Sequence, residues 1–538
     1  MSSEMKEAVE MDLEASKSLV PESANSIKFS LATKERVGGE AWHGSVAMIN
    51  TLDDNIKKKR GSCLKQVCWA LLANIGAINT GLMYGFSAVA IPQLTEANST
   101  IVVDEDQASW IASLGSAATP VGCILSGYLL DAIGRKKTII LTLLPMILGW
   151  SLISVATNVV MIYIGRLLVG LGSGGIGSPS RVYTAEVTQP HLRGMLAAVA
   201  SVMVSLGVTL EYIVGSFVSW PLLSFLSGVI PTIALIGSFF LPESPSWLLS
   251  QGRTEDCLNS LKNLRGPTCD INDELKSMQD FLERSNTAHK YTTKETLSAL
   301  IHPSAVKPFL ILSAYFFIYQ FSGVNPVTFY AVEIFQESGT SMDKYLATII
   351  LGLIRLGFTV VSCIMMRRCG RRQLSLVSSV FCGVSMVCLG GYIFKGIEWK
   401  AEGVSPLPAS WFPVFNIFLF IAASTIGYLV VPWVMIGELY PAKVRGILGG
   451  FTTLISHVCV FIVVKTFPLM KRVFTKHGTF WFYGTVSLVG TLFFYFVLPE
   501  TKGRTLQEIE DYFSGRIKSL KPIKKSVNNN PTIVKASK

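Results

Sequence analysis

The stretch "PSRVYTAEVTQPHLRGM" (179–195) sets Glu186 a few residues ahead of Arg193, and "PWVMIGELYPAKVRGIL" (432–448) sets Glu438 ahead of Arg445. The two acids are 252 residues apart, and so are the two arginines. A carboxylate and a guanidinium at the end of an apolar run can pair while partly desolvated, a contact worth a few kcal/mol at most. That is the chemistry of a latch, which closes and opens, rather than of bond making. "DAIGRKK" (131–137) likewise returns as "RRCGRRQ" (367–373), with Gly134 and Gly370 236 apart. "LPESPSW" (241–247) returns as "LPETKGR" (498–504), 257 residues on. Three patterns repeated in one order argue for a duplicated design; taken singly, each set of charges also fits a role in fixing topology and capping helix ends. The ten cysteines, among them Cys123, Cys363, Cys382, Cys388 and Cys459, show no zinc-type spacing and read as small apolar residues. No catalytic residue, metal or cofactor is expected.

The elements that must hold these charges are membrane helices. Of the 538 residues 50% are hydrophobic and only 15% charged, with mean hydropathy +0.45. The apolar residues gather into twelve runs of spanning length: 68–90, 108–130, 138–156, 159–178, 194–217, 222–241, 308–330, 345–366, 374–394, 411–435, 447–468 and 480–498. The polar first 60 residues give no cleavable signal peptide. Lys57, Lys58, Lys59 and Arg60, Arg135 to Lys137, the arginines at 367, 368, 371 and 372, and Lys502, Arg504, Arg516, Lys518, Lys524 and Lys525 all fall on one side of a twelve-span chain. That side is expected to be cytoplasmic, with both termini. Lys471, Arg472 and Lys476 are a minor exception on the outer side, where "VVDEDQ" (102–107) is acidic and "NST" offers Asn98 as a glycosylation sequon. The net charge of +11 thus reads as topology and contact with anionic lipid in the bilayer, not nucleic-acid binding.

The fold class expected is all-α: twelve transmembrane helices in two six-helix bundles of common design. The boundaries are a cytoplasmic amino tail (1–66), a first bundle (67–241), a Lys- and Glu-rich cytoplasmic linker with short helices (242–305), a second bundle (306–499) and a cytoplasmic carboxyl tail (500–538).

Taken together, "DAIGRK", "IGRLLVGLGSG" (164–174), "YTAEVTQPHLRG", "LPESPSW", "YQFSGVN" (319–325), "PWVMIGELYPAKVRG" and "LPETKGR" resemble the sugar porter family of the major facilitator superfamily. The likeness covers about 68–505. "GFSAVAIPQL" (85–94), "ASWIASLGSAATPVGCILSG" (108–127) and "SGVNPVTFYAVEIFQESG" (322–339) are similar to the insect facilitated trehalose transporters within it. The resemblance implies alternating access to one central sugar site. It also implies a cytoplasmic charge network of Asp131, Arg135, Arg166, Glu186 and Arg193 in the first half. Its counterpart is Arg371, Glu438 and Arg445 in the second, with Glu243 and Glu500 joining.

Carboxamides suit a sugar, since each offers two donors and an acceptor without charge, and an indole packs on the apolar sugar face. Gln320 and Asn325 in span 7, with Ser-Gly between them and Pro326 beyond as break points, stand where the family places sugar contacts, as does Trp433 after Pro432 in span 10. An interhelical hydrogen bond for Gln320 and core packing for Trp433 are the alternatives. The departures are Tyr319 and Ser201 where glutamines are usual, Arg355 where glucose carriers have asparagine, and Ser456–His457 where Asn-Trp is common. An arginine inside a span costs several kcal/mol unless paired or hydrated, so Arg355 either faces a wet cavity or pairs with Glu211. His457 adds a group able to titrate near neutrality. Proton-coupled members place an acid where this chain has Ser87, which favours uniport.

The function expected is a facilitated sugar carrier, for trehalose or a related disaccharide first and a hexose such as glucose next. The alternatives are a proton-driven symporter, a carrier of an anionic or aromatic solute, and a non-transporting sensor whose tails and linker bind signalling proteins. With neither a strong acidic dileucine signal nor a retention tetrapeptide, the plasma membrane is the expected location.

Overall fold

The computed structural model describes residues 63–517 apart from 98, 190–191, 193–195, 197, 267–270, 288–297, 341, 404–407 and 442–443. Arg193 and the sequon residue Asn98 lie outside the described residues. In a bilayer every backbone polar group must be satisfied within its own segment, and helices do that. Six helices fill the first half: α1 (Cys63–Thr95), α2 (Glu105–Ile133), α3 (Arg135–Ser154), α4 (Val159–Val187), α5 (Val199–Gly215) and α6 (Trp220–Ser238). Three short helices follow, α7 (Pro245–Ser250), α8 (Thr254–Arg265) and α9 (Asn272–Thr287). The second half holds α10 (Pro303–Phe321), α11 (Val324–Phe329), α12 (Ala331–Glu337), α13 (Lys344–Arg368), α14 (Arg371–Ala401), α15 (Phe412–Ile426), α16 (Val431–Leu439), α17 (Arg445–Val473) and α18 (Thr475–Phe496), then α19 (Leu506–Phe513). Among the described residues eleven helical segments are long and apolar enough to cross a membrane, and α5 is a shorter apolar helix.

Local signals start these helices where they start. Asp104 accepts from the Gln107 backbone N–H at 2.7 Å and Gln107 answers the Asp104 N–H, a capping box opening α2. Asn158 caps α4 and Asp343 caps α13 through their side-chain oxygens. Small residues set how closely helices pack: a Cβ on Gly174 would strike the Thr119 carbonyl, and one on Gly170 the Gly115 carbonyl. The α2–α4 seam therefore brings backbone against backbone, the packing that membrane helices use in place of a hydrophobic drive.

Two spans are broken. In the seventh, α10 ends and Gly323 takes φ +90°, a left-handed turn natural to glycine. Pro326 sits in the first turn of α11, where its missing N–H is not needed, so the chain breaks at Ser322–Gly323 and again at Tyr330 rather than at the proline. The tenth span breaks between α15 and α16, with Pro432 near the start of α16. The first break sets Gln320 and Asn325 on either side of the turn.

α1–α6 pack chiefly on one another, and α10–α18 do the same; the two sets meet along α2 against α17 and α5 against α13. The linker docks through Arg265, which is buried, holds Glu274 at 2.6 Å and donates to the Val187 carbonyl at 2.7 Å. Outside the spans, α8 buries Cys257, and that burial pushes its thiol up to about 11, with Glu274 adding to the effect.

Candidate functional site

One cavity of about 540 Å³ runs between the halves, lined from α1, α2, α4, α5, α10, α11, α13 and the tenth and eleventh spans. Tyr319, Gln320, Asn325, Arg355, Trp433, Ser201 and His457 all line it, so every residue expected to meet solute faces the same space. The break at Gly323 explains the first cluster. Gln320, 2% exposed, donates from Nε2 to Ser456 Oγ at 3.0 Å and accepts from the Asn325 amide. Span 7 is thereby tied to span 11, and the carboxamides are pre-positioned with unused donor and acceptor capacity.

Trp433 forms the second cluster. Its ring meets Phe316 edge-on at 4.9 Å and His457 at 6.1 Å, and the Arg181 guanidinium lies over it at 5.5 Å. His457 engages the Thr453 carbonyl through Nδ1 at 2.9 Å, which fixes its ring and leaves Nε2 for the cavity.

Arg355 is the third feature. It is 4% exposed and donates from Nη1 to Thr328 Oγ1 at 2.9 Å, while its buried Nε has no partner. The pairing with Glu211 that the sequence left open does not occur. Glu211 is buried inside the first half and takes its hydrogen bond from Ser227 at 2.9 Å, and Arg355 faces the cavity.

The duplicated charges form two matching sets. Arg135 holds Glu186 with two bonds of 2.8 Å and donates to the Leu130 carbonyl; Arg371 holds Glu438 at 2.7 Å and donates to the Met366 carbonyl. Glu243 accepts from the backbone N–H groups of Arg135 and Lys136, and Glu500 from those of Arg371 and Arg372. Ser244 donates to Glu186 and Thr501 to Glu438. Gly134 and Gly370 leave room for these carboxylates, since a Cβ on either would crowd Glu243 or Glu500. Asp131 is exposed and stands 3.9 Å from Arg135.

Each set closes within its own half, so in this conformation the latch ties helices of one bundle together rather than joining the two bundles. Arg445 bonds the Tyr440 carbonyl at 3.1 Å and lines the cavity mouth. Arg166 lies apart from both sets. It is fully buried in the first half and donates to the carbonyls of Ile111 and Met83 and to Ser87 Oγ. Ser87, the residue on which the uniport expectation rests, is therefore a neutral partner of Arg166.

Contacts between halves concentrate at the end away from these sets. Lys465 of α17 reaches Asp106 at 2.6 Å and Ser109 at 2.7 Å on α2, with its ammonium 4.2 Å from the Trp110 ring. Arg472 pairs with Glu105, and Trp110 packs on Phe461 at 6.1 Å. Tyr212 donates to the Thr328 carbonyl at 2.6 Å, and Ser205 meets Thr359 at 2.8 Å. The cavity is sealed there and extends to the Arg445–Gly446 end.

Sequence reasoning passed over Arg181 and Lys465. The apolar run of span 4 stops at 178, short of Arg181, whereas α4 continues to Val187. Lys465 lay inside span 11 as drawn; an intramembrane cation was the signal there.

A sequence profile described as "Sugar (and other) transporter" matches residues 69–513. The facilitated trehalose transporter Tret1 of Culex quinquefasciatus is 32% identical over 459 residues, covering 85% of this chain and 87% of that protein. Its namesake in Drosophila mojavensis is 34% identical over the same share of this chain. The chain spans about half the length of several such relatives, 52% of the D. mojavensis protein. Among solved structures, the inward open conformation of the xylose transporter XylE from E. coli superposes with TM-score 0.67 at 21% identity, covering 82% of this chain and 98% of that one. That likeness establishes the fold.

Proposed function

Because this chain belongs to the sugar transporter family, we propose that it carries a sugar across a membrane by alternating access to the cavity between its halves. The observation that carries the reading is the convergence on one space of the Gln320–Asn325–Ser456 cluster and the Trp433 ring. The cavity is closed at the Lys465 end and reached from the end bearing the basic loops. With the basic loops cytoplasmic, the conformation is inward-facing and both termini are inside, at the plasma membrane. The halves at 67–241 and 306–499 rock about the cavity, and the paired charge sets lock each half as a unit. The relatives' names make trehalose the first neutral substrate to test and glucose the second. Uniport is supported by Ser87, which gives Arg166 a neutral partner and leaves no acid on α1 beside it.

The test is uptake into liposomes holding the purified full chain, with trehalose and glucose, with and without an imposed proton gradient. Uptake that saturates and is indifferent to the gradient is expected. Gradient-driven accumulation would replace uniport by symport, and binding without flux would replace the carrier by a sensor.

A further inference from the structure

The charges facing the cavity are all of one sign. Arg181 and Arg355 line it and Arg445 stands at its mouth, whereas no aspartate or glutamate among the described residues contributes to the lining. Three acids of the spans are engaged elsewhere: Glu211 with Ser227, Glu186 with Arg135 and Glu438 with Arg371. Among the described residues no carboxylate meets Arg181 or Arg355; Arg181 rests on the Trp433 ring and Arg355 on Thr328. Arg355 is more than nine-tenths buried, and its Nε lacks a partner. A buried guanidinium without a counter-charge is costly, and a neutral hydroxyl offsets only part of that cost. The cavity wall thus carries positive charge that no carboxylate among the described residues offsets.

We infer that the preferred solute is a sugar acid, a polyhydroxylated ring or chain bearing one carboxylate. This rests on the reading of the cavity as a sugar carrier's site and names its substrate class. The hydroxyls meet Gln320 and Asn325, the apolar face meets Trp433, and the carboxylate is taken by guanidinium donors, whose fork geometry matches it. Arg181 belongs to α4 and Arg355 to α13, one on each half. A carboxylate held by both interacts differently with the open and closed arrangements, which is the requirement for a solute to drive the change of state. A neutral disaccharide does not supply that term.

The experiment compares labelled glucuronate, glucose and trehalose as solutes, and as competitors, for the full chain in liposomes. Glucuronate is expected to be taken up or to compete about tenfold better than glucose, the difference that one charge-assisted hydrogen bond makes. R355Q and R181Q are each expected to lower that preference about tenfold, with R355K restoring part of it, in preparations shown monodisperse by size exclusion. If R355Q is not recovered folded, R181Q and the wild-type competition carry the test. Uptake of glucose or trehalose that a hundredfold excess of glucuronate leaves untouched overturns the inference. Equal competition by inorganic phosphate or chloride overturns the sugar-acid assignment in favour of a simple anion site. If no solute is carried at all, it is the carrier reading that fails. Quenching of tryptophan fluorescence by glucuronate but not by glucose then upholds the binding preference, and equal or absent quenching ends it.

Discussion

Replacing Lys465 by methionine should move the resting equilibrium toward the outward-facing state. The side chain is 19% exposed and joins the halves at the sealed end through Asp106, Ser109 and the face of Trp110. Methionine keeps the length and the apolar stem but removes the charge. Asp106 is 76% exposed, so its pairing is screened by water and contributes no counted share. The charged hydrogen bond to the part-buried Ser109 and the cation–π contact each stabilise by roughly 0.5–1 kcal/mol in such a setting. About 1–2 kcal/mol of the seal is therefore lost, a shift of roughly 5- to 30-fold in the ratio of the two states. Cys123 lines the cavity and is a free thiol, so it reports access without any added probe site. The assay is the rate at which a membrane-impermeant maleimide supplied from outside intact cells labels the Cys123 peptide, read by mass spectrometry. K465M should raise that rate by the same 5- to 30-fold, and K465R, which keeps the charge, should leave it near wild type. An external rate unchanged within about twofold in K465M would refute the assignment of this contact as the outer seal, since a lost seal must show as access.

Three further outcomes follow from the same geometry. Q320A removes the link to Ser456 and to the Asn325 amide, and about 1–3 kcal/mol of positioning goes with it; half-saturation for the carried sugar should rise roughly 5- to 150-fold, measured as initial uptake against concentration. E186Q should cost about 1–3 kcal/mol because the Arg135–Glu186 pair is largely buried, at 13% and 19% exposed, and E438Q should act in the same direction through Arg371; paired thermal melting of the detergent-solubilised variants checks that the two changes match. G174V would drive a branched side chain into the Thr119 carbonyl on α2, so the yield of monodisperse protein should fall sharply, whereas G177V, which meets nothing within 4 Å, should express normally.

The spans and their order were legible because apolar runs of spanning length are what a bilayer demands. The duplicated motifs were legible as positions, and the Arg135–Glu186 and Arg371–Glu438 pairs are the contacts they form. What the motifs could not convey is which helix each charge would meet: Arg166, in "IGRLLVGLGSG", turns into the first half's core toward Ser87. Gln320, Asn325 and Trp433 stood out through residue type, and Arg355 through the cost of a buried charge, and all four line the cavity. Arg181 was lost because hydropathy alone ends a span at its last apolar residue, while the helix itself continues for as long as its backbone bonds are satisfied. The choice at Arg355 between Glu211 and the cavity depended on helix rotation, which no linear pattern records.

The internal duplication also locates where the two halves have diverged. The offset of 252 that relates Glu186 to Glu438 relates Arg181 to Trp433, and these two are in contact across the cavity, cation over ring, at 5.5 Å. The offset of 236 relates the capped glycines 134 and 370, and that of 257 relates Ser244 to Thr501, both in matching roles. The latch positions have thus kept their chemistry in both copies, because each half needs the same device to hold its helix ends. One turn or so deeper, the equivalent positions carry a guanidinium in one copy and an indole in the other. A two-fold site lined by identical groups would offer a solute two equal faces, whereas this pair offers one face for charge and one for an apolar ring. The charge pairs and their glycines thus serve each half's own helix ends, whereas the Arg181–Trp433 pair serves the solute, and a solute with one charged end and one apolar face is what such an unequal pair fits.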